Sequence, residues 1–90
     1  MAQLEVDLVA ADRKVWSGPA RQVSAPAADG EIGILQGHSP LLAVLRAGRV
    51  RITSAEGTHV EAVITGGFIS VDSDTVTIVA DSVEMAGAAV

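Results

Sequence analysis

His38 stands beside Ser39, a pairing that suggests a base with its nucleophile. Activation of a hydroxyl needs the imidazole within hydrogen-bond reach, and adjacent strand or loop residues point apart. Pro40 further holds Ser39 toward an extended backbone. His38 and His59 lie too far apart for a paired-histidine zinc motif, and no cysteine assists them. Gly33 and Gly37 enclose three residues where a phosphate-binding loop encloses four, and His38 occupies the place of the loop's lysine. Asp72 and Asp74 open like a calcium loop, yet Val76 and Thr77 supply no carboxylate and no twelfth-position glutamate follows. Turn chemistry accounts for them better. Arg46, Arg49 and Arg51 have the spacing of a solvated sheet face, or of a patch that meets an acidic partner. No catalytic, cofactor or metal constellation emerges from these residues.

The segment that must present any such function is Gly30–Leu45, GEIGILQGHSPLLAVL. Three glycines and Pro40 exclude a helix, because each glycine costs roughly 1 kcal/mol against alanine and the proline breaks the ladder. The segment reads as a short strand around Ile34–Leu35 bounded by tight bends. Glu31 and His38 are its only ionisable side chains, and each sits beside a glycine, where it would project toward a partner.

Composition sets the frame around that segment. Ninety residues support one domain. Hydrophobic residues make up 49% and aromatics only 2%, so the core must come from valine, isoleucine, leucine and alanine. That bias favours strands. Trp16, Ile34 and Phe68 are expected in the core, Trp16 as its large plug. A net charge of −5 argues against a nucleic-acid partner. Met1–Val9 lacks the basic start and apolar run of a signal peptide. The apolar run Leu41–Leu45 is far short of the ~20 residues that cross a bilayer, so membrane association would come through another protein.

Leu4, Val6 and Leu8 alternate with Glu5 and Asp7, the pattern of a strand with one wet face. Val15–Trp16 reads as a second short strand closed by Ser17-Gly18-Pro19. Ala20–Ser24 reads as a third, before a loop over Ala25–Asp29. Leu41–Leu45 is short enough to be a buried strand, and Val50 and Ile52 lie on the inner face of the next. Val60, Ala62 and Ile64 share a face; Gly66-Gly67 bends the chain toward Phe68–Val71. Asp72-Ser73-Asp74 forms a hairpin turn before Thr75–Ala80. Strands every 8–12 residues with no amphipathic helix imply an all-β sandwich or barrel. The expected domain covers residues 1–84, with 85–90 as an unstructured tail.

Gly30–Leu45 resembles the signature of the epsilon subunits of bacterial F-type ATP synthases. Leu4–Ala10, Val15-Trp16-Ser17-Gly18, Ile64-Thr65-Gly66-Gly67-Phe68 and Val76–Asp81 agree with the same family in order and spacing. The likeness spans about residues 3–84, and Gln36 departs from it where the family usually has proline. The resemblance implies the family's amino-terminal domain, a flattened antiparallel β-sandwich of about ten short strands. It lacks the two following helices, to which the family's inhibition of ATP hydrolysis is attributed. It further implies a non-catalytic place in the central stalk, coupling the gamma subunit to the c-ring at the cytoplasmic face of the membrane. Glu31, Gly33, Gly37 and His38 match positions near the ring loops and gamma. The competing class is a free-standing β-sandwich binding or carrier module. A biotinyl or lipoyl carrier needs an exposed lysine at a hairpin tip, which Lys14, beside Val15-Trp16, matches poorly.

Overall fold

The computed structural model describes residues 3–88, with side chains as far as Met85. Its regular elements are nine strands: β1 (Leu4–Ala10), β2 (Arg13–Ala27), β3 (Gly30–Leu35), β4 (Leu41–Leu45), β5 (Gly48–Ser54), β6 (His59–Ile64), β7 (Gly67–Asp72), β8 (Thr75–Ala80) and β9 (Val83–Ala88). The all-β expectation holds.

The long strand β2 joins two layers. It pairs with β1 along Arg13–Ala20, with β3 along Gln22–Ala27 and with β5 along Ala20–Ser24. The ladder continues β1-β8-β7-β4-β2-β5-β6-β9, with β3 lying off this path. Because β1 pairs with both β8 and β2, strands β1, β8, β7, β4 and β2 close on themselves. Leu4, Val6, Leu8, Ile69, Val71, Val76 and Ile78 from one layer meet Val23, Ile34, Val50, Ile52, Ala62 and Ile64 from the other in one aliphatic core. The smallest dimension, 23 Å, fits two sheets packed about 10 Å apart.

Several expectations are corrected. One strand pair, β1–β8, is parallel in an otherwise antiparallel arrangement. The segments Val15–Trp16 and Ala20–Ser24 are a single 15-residue strand that continues through Pro19 to Ala27. A bulge at Arg21 is the reason they looked separate. Ala20 pairs with Ser54 and Gln22 with Thr53, so Arg21 is left over. Inward positions are therefore even before the bulge (Ala20) and odd after it (Val23, Ala25, Ala27), which breaks the alternation on which strands are recognised. Residues 85–88, expected in an unstructured tail, continue β9 against β6; residues 89–90 lie outside the described residues.

Ile34 is fully buried, as the core assignment required. Phe68 is not: it faces outward and is 44% exposed, because Ile69 and Val71 take the inward positions of β7. Trp16 is only half-buried, packed against the edge of the core with its indole over Gly18. Leu41–Leu45 is not buried on both faces, since Leu42 and Val44 point to solvent while Leu45 points in.

Candidate functional site

The strand registers line up an apolar row across the outer face of the layer formed by β1, β8, β7 and β4. Val9 stands opposite Val79, Val79 opposite Phe68, and Phe68 opposite Val44. Val44 is 66% exposed, and Leu42, two residues along β4, is 73% exposed. Leu42, Ala43, Val44 and Phe68 line a shallow apolar trough. The neighbouring row is polar: Ser17, Asp7, Thr77, Ser70 and then Leu42. There Ser17 Oγ donates to Asp7 Oδ1 at 2.8 Å, and Lys14 Nζ lies 3.5 Å from the same oxygen. The apolar row thus has a defined polar margin. Isolated exposed apolar residues are ordinary, but a contiguous row with a polar rim marks a docking face.

The same registers place two groups of turns at opposite ends of the molecule. Ala10, Ala80, Gly67, Leu45, Ala27 and Gly30 pair in one line. The turns just beyond them bring Asp12, Asp29 and Asp81 to one end, with Glu31 exposed one residue inside β3. Arg13 and Arg46 lie there too, and Arg46 Nε donates to the Ala27 carbonyl at 3.1 Å. With Lys14 level with Glu31, one residue in from the same line, the four acidic side chains exceed the three basic ones by one. The opposite end carries the 36–40 loop and the Ser73-Asp74 turn. Glu31 and His38, grouped together in the sequence reading, lie toward opposite ends of β3, whose Glu31–Leu35 stretch spans roughly 13 Å by strand rise.

His38 is half-buried, and its Nδ1 lies 2.7 Å from the Ser39 carbonyl oxygen, so the ring meets the backbone of Ser39 and not its hydroxyl. Gly37 has a φ of 84° and donates its N–H to Asp74 Oδ1 at 2.7 Å. Gly33 is exposed on β3, and a Cβ there would meet nothing within 4 Å. Arg49 and Arg51 do not await an acidic partner. Both pair with Glu61 across β5 and β6, at 3.1 and 3.4 Å. Among the described residues, no three of His, Asp and Glu gather as a metal site. Lys14 sits on strand β2, not at a hairpin tip.

Sequence reasoning missed Val9, Val79, Leu42 and Val44. The only signal for the latter two was alternation within an all-apolar run, which hydropathy alone does not display.

The chain is thus an all-β scaffold with an outward apolar row, an acidic end and a loop pinned to the β7–β8 turn. The comparisons assign it: residues 3–86 match the family described as ATP synthase, Delta/Epsilon chain, beta-sandwich domain. The chain belongs to that family. It is 49% identical over 87 residues to the ATP synthase epsilon chain of Rhodococcus jostii, covering 96% of this chain and 71% of that one. It is 49% identical over 89 residues to the ATP synthase epsilon chain of Micrococcus luteus, covering 99% of this chain and 98% of that relative. Among solved structures, the mitochondrial ATP synthase of Euglena gracilis (OSCP, F1 and c-ring) contains a chain with TM-score 0.88 and 25% identity. That match covers 94% of this chain and 54% of the Euglena chain. A chain of the Tetrahymena thermophila mitochondrial ATP synthase shares the fold with TM-score 0.73 at 19% identity, over 92% of this chain and 66% of that one.

Proposed function

We propose that this chain is a non-catalytic central-stalk subunit of an ATP synthase, joining the gamma subunit to the membrane c-ring so that ion-driven rotation reaches the catalytic head. The observation that carries this reading is the outward row Val9–Val79–Phe68–Val44, half-buried at Val9 and Val79 and exposed at Phe68 and Val44, with exposed Leu42 beside it. On a small β-domain such a row calls for a protein partner, and the family makes gamma that partner. Strand β4 runs from the His38 loop straight into the row, so His38 and Gly37 extend the same surface. The acidic end with Glu31 then faces the polar loops of the ring, where a partly desolvated carboxylate pairs more strongly than in bulk water. Gly33, without a side chain on exposed β3, leaves room for a close backbone approach. The subunit is peripheral, at the cytoplasmic face of the membrane, held there by its partners.

Family membership and the position of Lys14 both favour this role over a free-standing binding or carrier module. Calorimetric titration of the gamma subunit with the 90-residue chain tests it. A rotor subunit binds saturably at one to one; absence of binding would return the chain to the module class.

A further inference from the structure

Asp74 connects three segments of the chain at the end that carries His38. It is the second residue of the two-residue turn between β7 and β8, where Asp72 pairs with Thr75. Ser73 and Asp74 have φ values of 49° and 62°, the successive left-handed conformations that a tight hairpin turn of this length requires. The Asp74 carbonyl accepts the Glu5 N–H of β1 at 2.8 Å. Its carboxylate Oδ1 accepts the Gly37 N–H at 2.7 Å. The other polar contacts of the 36–40 loop are local: His38 N–H to the Leu35 carbonyl at 3.1 Å, and His38 Nδ1 with the Ser39 carbonyl. Among the described residues, the Asp74 carboxylate is the side chain whose hydrogen bond ties this loop to a distant segment.

We propose that Asp74 is the positioning residue of the 36–40 loop, fixing Gly37 and His38 in the geometry with which the loop meets the stalk partner. This rests on the loop belonging to the docking surface. The position demands two properties at once. The backbone must sit in the left-handed region, which Asp, Asn and Gly reach readily, and the short side chain must place an acceptor against a backbone N–H. A charged acceptor makes that bond shorter and stronger than a neutral one.

Three substitutions separate these properties. Asp74→Gly keeps the turn and removes the acceptor; Asp74→Asn keeps both; Asp74→Ala removes the acceptor and strains the turn. Amide exchange followed by NMR on the isolated chain reads the bond directly. In Asp74→Gly the Gly37 and His38 amides should exchange about three- to tenfold faster, the factor expected for one net hydrogen bond. The amides of β5 and β6 should stay unchanged, and Asp74→Asn, with a neutral acceptor in the same place, should fall between the parent and Asp74→Gly. An unchanged Gly37 rate in Asp74→Gly, or equal acceleration in Asp74→Asn, overturns the proposal. Titration with gamma separates the two levels. Weaker binding of Asp74→Gly, partly restored in Asp74→Asn, supports the positioning role. Faster loop exchange with unaltered affinity removes the loop from the interface and overturns the role, while the gamma contact through the apolar row still stands.

Discussion

Val44 and Phe68 face each other across β4 and β7 on the outer surface, an aliphatic–aromatic pair set in register but left to solvent. A cross-strand pair of this kind contributes to the sheet by well under 1 kcal/mol, so its exposure is better explained by a partner than by stability. Val44→Asp should cost about 1 kcal/mol, from the lost pair and the poor strand preference of aspartate, and leave the domain folded. It should weaken gamma binding about tenfold or more, because it places an unpaired charge in a desolvated contact. Calorimetric titration and urea unfolding of the same variant check both statements, and unaltered affinity would exclude the row from the interface.

Glu31→Lys should leave the fold intact, since Glu31 is exposed at the start of β3 and forms no ion pair among the described residues. Docking onto a basic ring loop should weaken, and the loss should fade as salt rises, because charges separated by more than about 10 Å at 0.1 M ionic strength are screened. Proton pumping by reconstituted enzyme across a salt series provides the measurement. Coupling identical to the parent at low ionic strength would take Glu31 out of the ring contact.

Trp16→Ala should cost about 2–3 kcal/mol, below the range of about 3–5 kcal/mol for a fully enclosed aromatic, because the indole is only half-buried. The ring lies over Gly18, where a Cβ would approach its Cη2 atom to 3.3 Å. Urea midpoints for Trp16→Ala, with tryptophan emission of the parent as a gauge of solvent contact, decide the matter. A loss of 5 kcal/mol would show the ring to be enclosed.

Gly67→Ala should be the most damaging of the small substitutions, at about 3 kcal/mol or more. Gly67 has a φ of 151°, and a Cβ there would overlap the Val79 carbonyl oxygen and come within 2.8 Å of the Ala80 Cα. Both obstacles are backbone of the adjacent strand and have no rotamer to yield. Gly33→Ala is the control: the site is open, and stability should stay within about 0.5 kcal/mol of the parent. Thermal unfolding of the pair side by side tests the contrast.

Strands β5, β6 and β8 were legible because Val50/Ile52, Val60/Ala62/Ile64 and Val76/Ile78 keep strict alternation between a wet and a dry face. The unity of β2 was not, since the bulge at Arg21 inverts that alternation halfway along. Phe68 faces out against expectation because Ile69 and Val71, on the alternate positions of β7, take the core side. Glu31, Gly33, Gly37 and His38 could be singled out from glycine spacing and family likeness. The separation of Glu31 from His38 could not, because it depends on how β3 lies along β2. The apolar row was hidden for a stronger reason. Its members come from residues 9, 44, 68 and 79, and only the β1–β8, β8–β7 and β7–β4 pairings bring them together.

The parallel β1–β8 ladder has a mechanical consequence. It completes the ring β1-β8-β7-β4-β2, so the strands of that half are joined all the way round, most thinly at the single Ala27–Leu45 pair between β2 and β4. A twisting load entering at the acidic end and leaving at the His38 end runs along the strand axes. It therefore loads many inter-strand hydrogen bonds together in shear, and does not peel them one after another. Under such a load an open sheet yields first at its free edges, whereas a ring of joined strands shares the load among its members.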